Sequence, residues 1–410
     1  MKIRFTLKQV RVGVLILALM LISGYVGFKT GKGEFGVEGI NVLVDRSQPV
    51  AKSTIDLSMF WQVWDELSEA YLIKEDLKPQ EMVWGAIKGM TAALGDPYTV
   101  FLPPEKNKET KDELNGSFEG VGIQLGFKDG NLAVIAPLSG MPAEAVGVKA
   151  GDYILHIKDE KKGIDVGTAD MSLPEAVKII RGPKRTPITF TLLHEGATET
   201  TEVEIFRDTI VIKSVEFEFK DNNIAYIKLS RFGGRTEAEW KEAVNQVIKK
   251  GNAVGLVLDL RNNPGGYLQG AVLYAGEFLE RGMIVVKQAD SKGNVESYSV
   301  NNNGRLLTIP LVVLINEGSA SSSEILAGAL KDHQRAKLIG EKTFGKGTIQ
   351  EAMDFGEGAG LHVTTAKWLL PGGDWVNETK GITPDIEIKD DQETEDIDEQ
   401  LQKALEEVVK

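Results

Sequence analysis

The sequence contains no cysteine and only four histidines among its 410 residues. The absence of cysteine excludes a disulfide scaffold, a thiol nucleophile and a thiolate-bound metal. The shortage of histidine argues against a histidine-rich metal centre, and we expect neither a metal nor a cofactor. Bases are outnumbered by acids, 47 to 60, for a formal net charge of −13. Because phosphate binding requires clustered Lys and Arg, nucleic acid is not expected as a partner.

The N-terminus has a different composition from the rest of the chain. Residues 1–11 carry several bases and no acid, and residues 12–28 (VGVLILALMLISGYVGF) carry no charge. A helix over that run would span about 26 Å, near the short limit for a bilayer core. The basic flank predicts that residues 1–11 are cytoplasmic. We expect a transmembrane anchor, with a cleaved signal peptide as the alternative. In both cases the chain from Lys29 onward is outside the cytoplasm.

Hydrophobic patterning divides the exported part into segments, in line with the two or three domains that the length suggests. Residues 29–54 are glycine-rich, which is typical of a linker, and residues 55–115 have helical periodicity. Residues 116–206 alternate short strands with two helical pieces, which predicts a compact small domain. Residues 207–389 alternate apolar strands with helices, which predicts an α/β core with a sheet covered on both faces. Residues 390–410 predict an acidic amphipathic helix, more solvated than buried.

A glycine-rich loop opens the first strand of the small domain. In Gly120-Val121-Gly122-Ile123, the glycines allow successive backbone N–H groups to converge, an arrangement that suits a carboxylate. A plain tight turn is the alternative. The strand that follows could pair with an extended peptide, with Val121 and Ile123 forming an apolar pocket for the terminal side chain. Arg181 could reach such a peptide, although an ordinary surface arginine is the simpler interpretation.

A serine-rich segment, residues 316–324 (NEGSASSSE), joins the apolar strand 311–315 to a helix. Serines at a helix start commonly cap it. The same position also suits a nucleophile, because a helix N-terminus stabilises developing negative charge and offers free N–H donors. Serine then needs a base, and no histidine has a recognisable acid partner; the histidines are His156, His194, His333 and His362. A Ser-His-Asp site is therefore not favoured.

Lys346 is the other candidate for the base. A lysine base must be held neutral by a desolvated site, and the glycines flanking Lys346 let backbone approach it closely. The following residues are strand-like, which places Lys346, Thr348 and Gln350 on one side, where Gln350 could orient the amine. The stretch also imitates a phosphate-binding loop, G-x-x-x-x-G-K. However, Gly347 stands where that loop needs Ser or Thr to hold Mg²⁺, so a nucleotide site is not expected.

A third element ends another apolar strand, at residues 258–266 (LDLRNNPGG). Proline followed by two glycines fixes a turn with exposed N–H groups, which could supply a second donor to an oxyanion; a purely structural turn is the alternative. These elements, in this order, resemble the C-terminal processing peptidases, also called tail-specific proteases. The resemblance covers about residues 55–389. It rests on Gly95-Asp96-Pro97-Tyr98-Thr99, a PDZ-like order across 116–206, Asp259-Leu260-Arg261-x-Asn263-Pro264-Gly265-Gly266, Gly318-Ser319-Ala320-Ser321-x-Ser323-Glu324-Ile325, and Gly345-Lys346-Gly347 with Gln350.

The resemblance implies a role for each matching residue. The family's nucleophile falls on Ser321, its general base on Lys346 and its supporting amide on Gln350. Backbone N–H groups near Gly265 and of Ser322 then form the oxyanion hole. Ser322 is a departure, since the family often has alanine there, but alignment on the flanking Gly318 and Glu324 selects Ser321 as the nucleophile.

The resemblance also implies a fold and an activity. The fold class is α/β, or α+β overall: a crotonase-like sheet-and-helix core with an inserted PDZ domain, a helical N-terminal segment and one transmembrane helix. The activity is that of an exported, membrane-anchored serine endopeptidase that binds protein C-termini, with an apolar last residue preferred, and cleaves near them. Family members often self-associate or work with adaptors. The alternative from another class is a non-catalytic envelope adaptor that binds protein tails through its PDZ domain.

Overall fold

The structure is a computed structural model that describes residues 56–194, 196–389 and 398–410. The predicted anchor at 12–28 and linker at 29–54 lie outside the described residues. Among the helices of the described part, none has the length and apolarity needed to cross a membrane. The chain forms two compact units, Met1–Ile87 and Lys88–Lys410.

The described residues of the first unit are helical, as the periodicity predicts. Helix α1 (Ser58–Ala70) has no buried residue, and the ring centroids of Phe60 and Trp61 on it are 4.9 Å apart. A 3₁₀ turn follows at Lys74–Asp76. Helix α2 (Pro79–Ala92) begins in the first unit and continues into the second, and its first residue is a proline, which suits the first helical position.

A small module occupies the middle of the second unit. Its six-stranded antiparallel sheet has the order β3-β4-β5-β7-β8, with β6 paired to β5. The strands are β3 (Ile123–Lys128), β4 (Asn131–Pro137), β5 (Tyr153–Asp159), β6 (Ile164–Gly167), β7 (Pro187–Leu193) and β8 (Thr201–Phe206), and the helices are α4 (Pro142–Ala145) and α5 (Leu173–Ile180). The predicted strands and both helical pieces are confirmed.

The chain enters and leaves this module side by side. Strand β2 (Ser117–Gly120) pairs antiparallel with β9 (Asp208–Val211). Within the module, the guanidinium of Arg207 is fully buried and pairs with Asp159 at 2.6 Å. Arg207 also donates to the carbonyl oxygen of Ile180 at 2.7 Å, so a hydrogen-bonded ion pair ties the end of α5 to the module's sheet.

The main sheet of the protein has the order β10-β11-β12-β15-β16-β19, parallel except for the antiparallel edge strand β10. Its strands are β10 (Val215–Lys220), β11 (Ile224–Leu229), β12 (Gly255–Asp259), β15 (Leu311–Ile315), β16 (Lys337–Gly340) and β19 (Ile386–Glu387). Every residue of β12 and β15 is buried. One face packs with α6 (Thr236–Lys250), α7 (Leu268–Ala275) and α8 (Ser322–Asp332) in the largest hydrophobic cluster. The predicted α/β core is confirmed.

A second, antiparallel sheet lies beside this core and was not predicted as a sheet. Its order is β1-β18-β13-β14, with β17 paired to β18. The strands are β1 (Val100–Leu102), β13 (Ile284–Asp290), β14 (Val295–Ser299), β17 (Thr348–Asp354) and β18 (Gly360–Leu369); the short helices α3 (Pro104–Leu114) and α9 (Val376–Thr379) flank it in sequence. Because β1 pairs with β18, the end of the 55–115 segment belongs to the core instead of a separate helical segment.

The C-terminal helix α10 (Glu399–Glu407) covers the other face of the main sheet. Its Gln400 and Ala404 are buried, as is Val408 just after it, so the expectation of a mainly solvated helix was wrong. Asp398, at the start of the helix, pairs with Arg261 at 2.8 Å, and Arg261 pairs in turn with the buried Asp259 at 2.7 Å. An apolar stripe on the helix and this ionic contact together hold it on the sheet.

Candidate active site

Two turns meet at the carboxyl edge of the main sheet, because the parallel neighbours β12 and β15 both end there. The turns are cross-linked by side-chain hydroxyls. Ser319 donates to the Leu260 carbonyl at 2.8 Å, Ser322 to that of Gly266 at 2.9 Å, and Ser323 to that of Asn263 at 2.9 Å. Three of the four serines therefore have structural hydrogen bonds to the opposite turn.

Ser321 is the serine outside that set. It has φ 54° and ψ −115°, a conformation that costs a non-glycine residue energy and persists only where the surroundings enforce it. It stands immediately before α8, and its backbone N–H donates to Glu324 Oε2 at 2.8 Å. The strand–turn–helix geometry presents a strained serine at the sheet edge, as a nucleophile on such a turn requires.

The Gly265–Gly266 turn lies directly against Ser321. A Cβ on Gly265 would come within 2.9 Å of both Ser321 Cβ and Ser322 N, so only glycine fits there. The predicted donor is nevertheless engaged, because Gly265 N–H donates to Asn263 Oδ1 at 2.9 Å. The Gly265 N–H can donate to an oxyanion only after it gives up its hydrogen bond to Asn263. Ser322 is the first residue of α8, where backbone N–H groups lack an intrahelical acceptor.

Glu324 joins the serine turn to the lysine loop. Its side chain is fully buried and accepts hydrogen bonds from the backbone N–H groups of Ser321, Gly345 and Lys346 and from the hydroxyl of Thr343, at 2.6–3.0 Å. Burial raises the pKa of this carboxyl, and the donors oppose that shift. Since all its partners are donors, the geometry is that of a carboxylate.

Lys346 is half-buried and lines the same cavity as Ser321. Burial lowers the pKa of its amine, while the charges of Asp96 and Glu324 act in the opposite direction. Its Nζ atom lies 4.6 Å from the centroid of the Tyr98 ring. The amine is thus desolvated enough to lose its proton more readily than an exposed lysine does.

Gln350 shares a side of β17 with Thr348, as predicted, since its Nε2 donates to Thr348 Oγ1 at 3.0 Å. The same nitrogen donates to Thr364 Oγ1 at 3.2 Å. These contacts fix the amide on the strand, because Gln350 Nε2 donates to the hydroxyl oxygens of two threonines.

One cavity of about 540 Å³ brings the predicted catalytic residues together. Ser321, Ser322, Gly265, Lys346 and Gln350 all line it. Apolar side chains supply much of its remaining wall, among them Leu114, Leu268, Ile325, Ile349 and Trp368. The cavity therefore combines a serine, a half-buried amine and an apolar surface.

The partners of the histidines differ from what the sequence predicts. Two have acid partners: His194 lies 2.8 Å from Asp152 and His156 lies 3.1 Å from Asp165. Both pairs belong to the small module, and neither lines the cavity that holds Ser321. His362 does line it, and burial together with the charge of Lys346 lowers the pKa of this imidazole.

The predicted peptide-binding residues surround the start of β3. Gly120 ends β2, and Gly122 has φ 76°, with Met141 so close that no Cβ would fit. Val121 is only 1% exposed and packs in the module's core. Its side chain therefore does not line an open pocket, which corrects that expectation, whereas the side chain of Ile123 is half-buried.

Arg181 follows α5 directly and is not an isolated surface side chain. Its guanidinium carbon lies 4.8 Å from the centroid of the Phe118 ring, and its Nη1 lies 3.8 Å from Glu113 Oε1. Glu113 belongs to α3 and also lines the cavity around Ser321. Arg181 thus connects the small module with a helix at the cavity wall.

Sequence reasoning missed the contacts that two residues make at this site. Glu324 fits the S-x-x-E capping box, which predicts its bond to Ser321 N–H but not its bonds to residues 343–346. Tyr98 lies in the Gly95–Thr99 motif, about 250 residues before Lys346 in the sequence, and no local pattern links the two.

Comparisons with known proteins show what this chain is similar to. Residues 223–388 match the model of Peptidase family S41. The chain is 38% identical over 332 residues to carboxy-terminal processing protease CtpA of Bacillus subtilis, covering 80% of this chain and 69% of that protein. It is 39% identical over 342 residues to a carboxyl-terminal-processing protease of Synechocystis, covering 82% and 78%. A putative S41 protease from Bacteroides fragilis shares the fold, with a TM-score of 0.52 at 15% identity, covering 84% of this chain and 92% of that one.

Proposed function

Because the chain belongs to the carboxy-terminal processing proteases, serine-type peptidases of family S41, we propose that it hydrolyses peptide bonds near protein C-termini with Ser321 as nucleophile and Lys346 as general base. The observation that carries the assignment is the position of Ser321. Its neighbours Ser319, Ser322 and Ser323 use their hydroxyls as structural donors, while Ser321 occupies the strained turn in the cavity that Lys346 also lines.

The reaction begins with a proton transfer. The neutral amine of Lys346 takes the Ser321 hydroxyl proton as Oγ bonds to the substrate carbonyl carbon. The resulting oxyanion is stabilised by the Ser322 N–H and the positive end of α8. The C–N bond then breaks, the departing amine takes the proton from Lys346, and an ester remains on Ser321. Water, deprotonated by Lys346, hydrolyses this ester and restores the serine.

The small module supplies a surface for substrate capture, and we assign it the function of a PDZ domain. Strand β3 is an edge of its sheet, so an extended peptide can add to it through backbone hydrogen bonds. Half-buried Ile123 and Leu125 of β3 share an apolar cluster with Leu173 and Ile179 of α5, which favours an apolar last residue. Gly120 and Gly122 suit a nest for the terminal carboxylate, and Arg181 stands next to it in this assignment.

The proposal includes anchoring in the cell membrane with the catalytic part outside the cytoplasm. It is supported by the charge-free run at 12–28 behind a basic flank. Processing of a signal peptide is the alternative outcome, distinguished by N-terminal sequencing of the mature protein. Self-association and an adaptor partner remain compatible with this assignment.

The test uses the full chain in detergent and an unstructured protein substrate with an apolar C-terminus. Ser321→Ala and Lys346→Ala should each lower kcat by about 10³-fold or more with folding intact. Lys367→Ala is the matched control, since Lys367 is an exposed lysine of β18 whose amine contacts Trp375, and it should keep activity. Cleavage by Ser321→Ala would contradict the assigned nucleophile. Tail binding without any cleavage by the wild type would identify an inert adaptor instead.

A further inference from the structure

The turn Gly95–Thr99 places an aromatic ring against the amine of Lys346. Lys346 Nζ lies 4.6 Å from the centroid of the Tyr98 ring, within the distance at which an ammonium is attracted by the negative face of an aromatic ring. Tyr98 is itself half-buried. The contact is therefore partly shielded from water, where such an attraction is strongest.

The turn that carries Tyr98 is fixed by its own hydrogen bonds. Asp96 Oδ1 accepts from the Tyr98 N–H at 3.0 Å, and Asp96 Oδ2 accepts from the Thr99 hydroxyl at 2.7 Å. Thr99 Oγ1 also accepts from the Thr364 N–H at 3.1 Å, and Val100 pairs with His362 where β1 joins β18. The ring is consequently held on the same sheet that carries Gln350.

This contact discriminates between the two protonation states of Lys346. A ring face attracts the ammonium electrostatically, whereas a neutral amine gains little from it. The catalytic cycle uses both states, because the amine must be neutral to accept the Ser321 proton and is an ammonium after accepting it. The Tyr98 ring, with its centroid 4.6 Å from the amine nitrogen, is placed to stabilise the ammonium.

Charged and titratable groups on three elements interact electrostatically with Lys346. Asp96 lies in the same turn as Tyr98, Glu324 on α8, and His362 on β18. Both carboxylates raise the pKa of Lys346 and burial lowers it. The ring acts in the same direction as the carboxylates, since it also favours the ammonium.

We propose that Tyr98 is a positioning residue for the base: its ring holds the Lys346 ammonium and so sets the pH at which the enzyme becomes active. The proposal rests on the assigned function of Lys346. Removing the ring should make the ammonium less stable, so the amine loses its proton at lower pH. The acid limb of the activity profile should then move to lower pH.

The experiment compares wild type, Tyr98→Leu and Tyr98→Phe as full chains in detergent. The midpoint of the acid limb of kcat/KM should fall by about 0.4 to 1.5 pH units in Tyr98→Leu. In Tyr98→Phe it should stay at the wild-type pH, because the phenyl ring keeps the attraction. A residue needed only for folding would change the amount of active enzyme without moving this midpoint.

A second measurement follows the protonation of Lys346 itself. In Ser321→Ala protein with isotopically labelled lysine, NMR titration of Lys346 should show the same downward shift on adding Tyr98→Leu. This titration needs no catalysis, so it separates failure of this inference from failure of the assigned reaction. If Tyr98→Leu does not fold, Tyr98→Met replaces it. An unmoved midpoint in the variant that folds, or an equal shift in Tyr98→Phe, would overturn the proposal.

Discussion

The two sides of the cavity differ in how firmly their functional groups are held. On the serine side, Ser319, Ser322 and Ser323 bond to the opposite turn and Glu324 is completely buried. On the lysine side, the amine of Lys346 faces the ring of Tyr98. The serine side is a turn whose backbone is held by hydrogen bonds. The lysine side ends in a long side chain with rotatable bonds.

The difference follows from what each side must do. Ser321 stands in a strained conformation, which lasts only if the surrounding bonds enforce it. Lys346 changes its charge twice in each half-reaction, so it needs an environment that accommodates both states. Glu324 couples the two sides, since it binds the backbone of both Ser321 and Lys346.

Apart from the nucleophile and the base themselves, the largest effect is expected from Glu324→Gln. The glutamine amide presents two N–H donors where the native carboxylate oxygen accepts hydrogen bonds, so buried N–H groups would face each other. Each unsatisfied group costs about 1–3 kcal/mol. We expect kcat to fall by about 100-fold or more, with a lower melting temperature, measured by steady-state kinetics and by thermal denaturation.

The matched control for that change is Glu237→Gln. Glu237 is exposed on α6 and pairs with Lys241 on the surface, where ion pairs contribute little. Activity and melting temperature should match the wild type. Wild-type kcat in Glu324→Gln would show that the serine turn keeps its conformation without this carboxylate, and the proposed coupling would be wrong.

A smaller effect is expected where the C-terminal helix meets the sheet. Asp398→Ala removes a bidentate partner of Arg261 and also the acceptor that caps the Leu401 N–H at the start of the helix. The buried Asp259 keeps its own bonds to the Arg261 guanidinium. We expect the free energy of unfolding to fall by about 1–2 kcal/mol, as for a charge-assisted pair that is half-shielded from water. Denaturant unfolding measures it.

Glu406→Ala on the same helix is the control, because Glu406 and Lys403 form a pair 3.5 Å apart near the surface. Its effect should stay below about 0.5 kcal/mol. Equal losses in the two variants would mean that α10 is held by its apolar stripe alone.

Local patterns were enough to predict much of this fold. Apolar runs such as 311–315 identify buried strands, and the helix after Ser321 begins at the predicted place. The second sheet was missed because its strands are half-exposed and pair across long sequence separations. Val100, for example, pairs with His362.

At the site, too, the sequence predicted which residues come together but not how individual N–H groups are oriented. Ser321, Lys346 and Gln350 could be located by motif, and the structure brings them to one cavity. The direction of an individual N–H could not be predicted. Gly265 was expected to face an oxyanion, but the Asn263 side chain two residues earlier accepts its hydrogen bond, a local contact that the Pro-Gly-Gly pattern does not reveal.

The smallest effect is expected from His362→Asn. His362 lines the cavity, so it is the histidine placed to act if the base were an imidazole. Burial and the positive charge of Lys346 both lower its pKa, which disfavours a second positive charge beside the amine. If Lys346 is the base, kcat at pH 8 should stay within about threefold of wild type, since asparagine keeps a polar side chain on β18.

His156→Asn, at an exposed pair in the small module, serves as the control for substitution itself. A loss of about 10³-fold in His362→Asn alone would move the base from the lysine loop to β18. The contrast between a fixed serine and a lysine of variable charge would then no longer describe this enzyme.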